Sequence, residues 1–237
     1  MELASLFLIV LISSIAQSST GFGFSILSMP FLLLIYQAHE AVWINLLLSL
    51  LLSAITTVRT RKEIDKKLLI RLVKGSFIGF VPGLLLFMFL DVKPLKLVII
   101  VMILLFSILL LFNIKVKRSP EKSIFVGSLS GFLSSSIGIP GPPLLVYFNG
   151  TKMDMQVIRS TTLSFYILAF TVSLLLHISF SGFPKTVLLH SVYSLPFLLL
   201  GMVLGEKFFR SLTDKTFHRV LYFVLLSTGV GLVFSLF

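Results

Sequence analysis

Two apolar runs in this chain are long enough to enter a membrane, and both are broken in the same way. The first run, 3–36, is interrupted by Gln17-Ser-Ser-Thr-Gly-Phe-Gly-Phe-Ser25, with Met29-Pro30 just beyond. The second, 123–149, is interrupted by Leu133-Ser-Ser-Ser-Ile-Gly-Ile-Pro-Gly-Pro-Pro143. A shift of 117 residues lays Gly21 on Gly138 and Ser18–Thr20 on Ser135–Ile137. A break frees backbone N–H and C=O groups, and at membrane depth these are tolerated only where protein or a wet cavity satisfies them. The paired breaks therefore read as the lining of a solute site.

Composition places the runs in a bilayer. The chain is 57% hydrophobic and 12% charged, with a mean hydropathy of +1.07. A water-soluble fold of this size could not bury so much apolar surface, and several runs reach the ~18 residues that span a hydrocarbon layer. The fold class expected is an all-α polytopic membrane protein in the cell membrane. The net charge of +11 does not indicate nucleic acid, because the Lys and Arg sit in loops between apolar runs. Without cysteine, disulfides and thiolate metal sites are excluded, and no cofactor or metal is expected. Residues 3–17 lack a basic leader region and read as a retained segment.

The chain falls into two halves of one plan. Residues 1–118 hold a hairpin at 3–36 and helices at 41–58, 68–90 and 95–114. Residues 119–237 hold a hairpin at 123–149 and helices at 160–180, 186–205 and 216–237. A second echo links Gly79-Phe-Val-Pro-Gly83 to Gly201-Met-Val-Leu-Gly205, 122 residues on. If each broken run is a hairpin that returns to its own side, every Lys and Arg except Lys93, Lys96 and Lys185 falls on one face. Single crossings would spread them far more evenly, so the positive-inside rule favours hairpins. Each half then makes an odd number of crossings after its hairpin, and the halves become inverted repeats. Interrupted segments at equivalent places in two halves point to a transporter's binding site.

A helix that restarts inside the membrane offers unpaired N–H groups and a partial positive charge, which suits an anion. Restarts are expected near Phe24–Ile26 and Pro142–Leu144, with Pro142 and Pro143 suited to a first helical turn. The candidate binding residues are Gln17, Ser18, Ser19, Thr20, Gly21, Phe22, Gly23 and Asn45 in the first half. In the second half they are Ser135, Ser136, Gly138, Pro140 and Gly141. Two such helix starts would hold a small anion without a buried Lys or Arg. Asn45, Ser49, Ser53 and Thr56 share one helix face; the serines read as helix–helix contacts, Asn45 and Gln17 as solute contacts. Asn149 is a further amide at the end of the second hairpin. The Gly-xxx-Gly pairs at 75–83, 127–131 and 201–205 read as close-packing faces. Arg71 and Lys74 are expected to snorkel to the interface. Arg159 reads as a solvated loop-end cation with anion recruitment as the rival reading, and His177 and His190 read as interfacial. No nucleophile elbow, Walker loop, His-Glu-x-x-His or intramembrane carboxylate pair is present, so no enzyme is indicated.

These residues resemble the TauE/SafE sulfite-exporter-like membrane proteins. The resemblance rests on Gln17-Ser-Ser-Thr-Gly-Phe-Gly-Phe-Ser with Met29-Pro30, and on Gly138-Ile-Pro-Gly-Pro-Pro143 running into Leu-Leu-Val-Tyr147. It implies a transporter of sulfite, organosulfonates or related anions, an exporter in many members and suggested to act in uptake in some. Where that family often carries three glycines in a row, this chain has Phe22, Phe24 and Ser25, implying a narrower or more apolar first site. The expected function is a secondary transporter, an exporter, working by alternating access. A passive anion channel and a non-transporting membrane scaffold are the alternatives. The expected partners are a small inorganic or organic anion and the lipid bilayer, with no nucleic acid and with a homodimer left open.

Overall fold

The computed structural model of the chain describes residues 2–60, 63–111, 118–148, 151, 153–182 and 184–208. Asn149 and the expected helix at 216–237 lie outside them. Among the described residues all regular structure is helical: α1 (Glu2–Thr20), α2 (Phe24–Ile35), α3 (Ala38–Thr60), α4 (Lys66–Phe89) and α5 (Val92–Leu111). There follow α6 (Pro120–Ile137), α7 (Gly141–Phe148), α8 (Met155–Ser181) and α9 (Lys185–Phe208). Both broken runs are helix–turn–helix hairpins, α1–α2 and α6–α7. At ~1.5 Å per residue, α1 and α6 are each close to the thickness of a hydrocarbon core, whereas α2 and α7 reach only part way. Among the described residues five helices, α1, α3, α4, α8 and α9, are long and apolar enough to cross a membrane.

The hairpin turns are built on glycine. Gly21 (φ 81°) and Gly23 (φ 116°) lie in the left-handed region that other residues avoid. Gly138 (φ 70°) ends α6 in a left-handed αL cap: its own amide reaches Ser134 O at 3.1 Å, and Ile139 N reaches Leu133 O at 3.1 Å. Pro142 and Pro143 occupy the first turn of α7, where a missing N–H costs nothing.

Small residues decide which helices meet. On α4, Phe77, Ile78, Val81 and Leu85 are exposed on the outer surface, while Gly75, Gly79 and Gly83 face inward. A methyl at Gly79 would overlap the Ser128 carbonyl of α6, and one at Gly83 would overlap Phe132 O and Ser135 Oγ. The same pattern recurs between α9 and α1. There Gly201 abuts the Leu11 carbonyl, and Gly205 abuts Ile15 O and Ser18 Cβ. Gly201 and Gly205 follow Gly79 and Gly83 by 122 residues, and Leu11, Ile15 and Ser18 precede Ser128, Phe132 and Ser135 by 117. Both offsets found in the sequence thus meet in one pair of interfaces. In each pair the contacts advance together, so α4 runs parallel to α6 and α1 parallel to α9.

The connectors sort to two ends. Asp65 donates its amide to Thr161 Oγ1 (3.0 Å), and its carboxylate pairs with Arg118 (3.3 Å), so the segments before α4, α6 and α8 share one end. At the other end His39 meets Phe87, with ring centroids 4.7 Å apart, and Tyr36 meets His190 at 5.5 Å. The segments before α4, α6 and α8 are three of the four that the charge argument assigns to one face. His190 is half-buried beside Tyr36, as an interfacial residue should be.

Asp65 also caps α4, accepting from Leu68 N at 3.0 Å. Partial burial pushes its carboxyl up, but the Leu68 amide and the Arg118 guanidinium outweigh this and hold it below the usual carboxylate range. A depressed folded value means stability that is present above the unfolded value and lost as pH falls through the folded one. Asp65→Ala is therefore expected to cost about 1 kcal/mol at neutral pH, the usual loss for an N-cap. Melting in detergent at neutral pH and again below about pH 3, under the ordinary carboxylate value, checks it: the gap to the wild type should close in acid.

Candidate functional site

The first break is assembled by Gln17. Its amide nitrogen donates to Ser53 Oγ (3.0 Å) on α3, and its oxygen accepts from Phe24 N (3.2 Å), the first amide of α2. Gln17 thus caps the restarted helix and holds its start against α3. Ser19 Oγ bonds back to Ile15 O (2.7 Å). Thr20 Oγ1 lies 2.8 Å from Ala16 O and 2.7 Å from Phe22 O, closing the turn. Phe22 is buried, edge-on to Phe148 (6.3 Å) and Tyr166 (6.4 Å).

Arg159 sits directly on this break. It is buried at 8% exposure, its guanidinium donates to the Ser18 carbonyl, and its side chain packs on Gly21. Any Cβ at Gly21 would stand 2.6 Å from Arg159 Cγ. Glu206 of α9 is its acidic neighbour. Two expectations are corrected here. Arg159 is not a solvated loop-end residue, and the site is not without a buried cation. The reason is packing: α8 begins four residues before Arg159, and the α1–α2 turn covers the second turn of that helix. Ser18 Oγ and Thr162 Oγ1, the latter one turn along α8 from Arg159, are buried with no hydrogen-bond partner among the described residues.

The second break is tied to the first by Asn45. Its Nδ2 donates to Gly138 O (2.7 Å), and its Oδ1 accepts from Ser28 Oγ (2.8 Å) of α2. Further along α3, Ser49 pairs with Ser25 at 3.0 Å. The polar stripe of α3 is therefore a seam that fastens the first hairpin, as expected for the serines. Asn45 and Gln17, expected to touch solute, have their amides engaged by protein. Ser135 Oγ donates to Phe80 O (2.8 Å) and Ser136 Oγ to Phe132 O (2.7 Å), so both hydroxyls face their own helix or α4. Pro140 and Gly141 are buried. A Cβ at Gly141 would meet the Tyr166 hydroxyl at 2.6 Å and Ile26 Cδ1 at 3.1 Å.

That last contact brings the two helix starts together. Gly141, the first residue of α7, touches Ile26 in the first turn of α2, while Phe22 before α2 touches Phe148 at the end of α7. The first turn of α2 and the start of α7 therefore pack against each other. Arg159, Thr162 and Tyr166 were not among the expected site residues. The sequence offset carried the signal, since 117 residues separate Val42, Asn45 and Ser49 from Arg159, Thr162 and Tyr166. His177 is also corrected: it is fully buried, with Nε2 2.7 Å from Ser135 O. Helix α8 extends to Ser181, which carries the ring below the surface.

The family model described as "Sulfite exporter TauE/SafE" matches residues 6–232. A "Probable sulfite/organosulfonate exporter TauE" of Cupriavidus necator is 30% identical over 122 residues, 49% of this chain and 46% of that protein. The match spans about half the length of that curated relative. No solved structure matches the chain. With five apolar helices long enough to cross, this is a multi-pass protein of the cell membrane. It belongs to the sulfite exporter TauE/SafE family of transporters.

Proposed function

We propose that this protein is a secondary transporter that exports a small anion: sulfite, an organosulfonate or a related sulfur-containing anion. The observation that carries the reading is the buried guanidinium of Arg159 on the first break, beside the start of α2. A cation inside a bilayer is costly and marks a solute path by default. The first turn of α2 adds amide donors and the positive end of the helix dipole. Ser18 and Thr162 supply hydroxyls with hydrogen-bonding capacity to spare. The start of α7 at Gly141, against Tyr166, forms the second wall, and Gln17 and Asn45 hold both walls in register.

Alternating access between inverted halves, 1–118 and 119–237, is part of the proposal. It is supported by the equivalent glycine interfaces α4–α6 and α9–α1, each pairing a helix of one half with a helix of the other. Exchange of two such interfaces is what a rocking motion of repeat against repeat needs. The relative's printed name and the family's description favour sulfur oxyanions over other anions.

The test is flux of labelled sulfite, organosulfonates and small carboxylates in proteoliposomes holding the full chain. Saturable flux of the sulfur oxyanions, accelerated by unlabelled anion on the opposite side, is expected. Flux that rises linearly without saturation would replace the transporter with a passive channel. Flux of none of these anions would overturn the reading.

A further inference from the structure

His177 is a buried imidazole in the second half that the anion site does not use. Its Nε2 lies 2.7 Å from the Ser135 carbonyl. A carbonyl only accepts, so Nε2 must carry a hydrogen, and in the neutral ring Nδ1 is then a lone-pair acceptor. That Nδ1 is buried with no hydrogen-bond partner among the described residues. An acceptor left bare in an apolar interior is unfavourable unless something binds it in another state.

The ring lies under an opening. A cleft of about 280 Å³ at the end opposite the basic connectors is lined by His39, Glu40, Trp43, Phe87, Met88 and Pro184. Phe87 stacks on His177 with centroids 4.1 Å apart, and Trp43 meets it edge-on at 5.4 Å. The same two side chains are thus the floor of the cleft and the lid of the imidazole. Titratable groups on this side come from α3: Glu40 in the cleft wall, and His39, whose Nε2 is 3.2 Å from Phe87 O. From α4 the ring is faced by Phe87, and from α6 by the Ser135 carbonyl. Pro184 forms the α9 side of the rim, with Lys185 exposed next to it.

We propose that His177 is a proton-binding site that couples the outer cleft to the second break. It goes beyond the anion site, but its coupling role rests on the transport reading above. The step is simple: a proton from cleft water adds to Nδ1, the Nε2–H stays on Ser135 O, and the ring becomes imidazolium. Ser135 lies in the last turn of α6, three residues before the Gly138 cap, where the negative end of the helix dipole favours a cation. An imidazolium sealed between Trp43 and Phe87 is disfavoured by desolvation, so the proton binds best when that floor has parted. External acid then shifts the population towards the state open to the cleft. Because Ser135 O, Gly138 O and Asn45 are linked through the α6 terminus, the shift reaches the wall of the anion site.

Trp43 is the single tryptophan of the chain, and an imidazolium beside an indole quenches its emission. The experiment is a titration of tryptophan fluorescence over about pH 4–8, bracketing the ordinary imidazole value, with the full protein in nanodiscs. A sigmoidal quench is expected in the wild type and in a His39→Gln/Glu40→Gln double variant, and is expected to vanish in His177→Gln. No quench in the wild type, or its loss in the double variant, would overturn the proton site whether or not His177→Gln folds. A quench retained in His177→Gln would do the same. In proteoliposomes, an inward proton gradient should raise anion flux several-fold in the wild type and leave His177→Gln unchanged. Equal stimulation of both would remove the coupling. If no anion flux is found at all, the fluorescence still decides whether the proton binds, so the two proposals fail separately.

Discussion

Gly79→Leu is expected to lower the melting temperature of the detergent-solubilised protein by about 6–12 °C. Overpacking at its upper end costs about 3 kcal/mol, and a chain this long loses roughly 2–4 °C per kcal/mol. The upper end applies because the obstacle is backbone. A first methyl at Gly79 already overlaps the Ser128 carbonyl and approaches the Phe132 amide at 2.6 Å, and neither can rotate aside. Helices α4 and α6 would have to separate along their length, which opens the Gly75, Gly83, Gly127 and Gly131 contacts as well. Gly201→Leu should behave alike at the α9–α1 interface, where the Leu11 carbonyl stands 2.6 Å from the added carbon. Val81→Leu, on the exposed face of α4, is the control and should shift melting by no more than a degree or two. A Gly79→Leu protein that melts with the wild type would show that the close approach contributes little to the fold.

Arg159→Gln is expected to weaken anion transport about ten- to hundredfold in apparent affinity, with far less effect on melting. Glutamine retains a donor for the Ser18 carbonyl but removes the charge. Hydrogen bonds to a charged group are worth about 1.5–3 kcal/mol, and each 1.4 kcal/mol is about tenfold in affinity. Arg159→Lys should fall between the two, since it keeps the charge but not the planar fork that matches a sulfur oxyanion. Concentration dependence of labelled sulfite flux in proteoliposomes reads the effect. Unaltered flux in Arg159→Gln would place the anion elsewhere and reduce the residue to a clamp on the α1–α2 turn. Glu206 supplies an internal contrast: Glu206→Gln removes the acidic neighbour, and an anion bound at Arg159 should then bind no more weakly.

The elements and their grouping were legible in the residues. Gly21, Gly23 and Gly138 marked the turns, and the segments before α4, α6 and α8, rich in Lys and Arg, meet at one end. The glycine pairs identified the packing faces, and the 117 and 122 offsets turned out to belong to the same interfaces. What misled was the fate of individual polar side chains. Gln17 and Asn45 were expected to meet solute, yet one caps α2 and the other ties Ser28 to Gly138 O. Their place near the ends of an apolar run puts Arg159 and His177 at the surface, yet both are buried.

The two outcomes divide along a physical line. Helix length, glycine turns and charge asymmetry are properties of a segment in a bilayer, set by backbone hydrogen bonding and by the cost of moving charge across lipid, so residues alone determined them. Whether an amide, a guanidinium or an imidazole is engaged by protein or kept for a ligand depends on which atom of a distant segment lies within about 3 Å of it. Position along a run supplies depth but not neighbours. Only the packing of α8 under the first hairpin, and of Trp43 and Phe87 over His177, decided that.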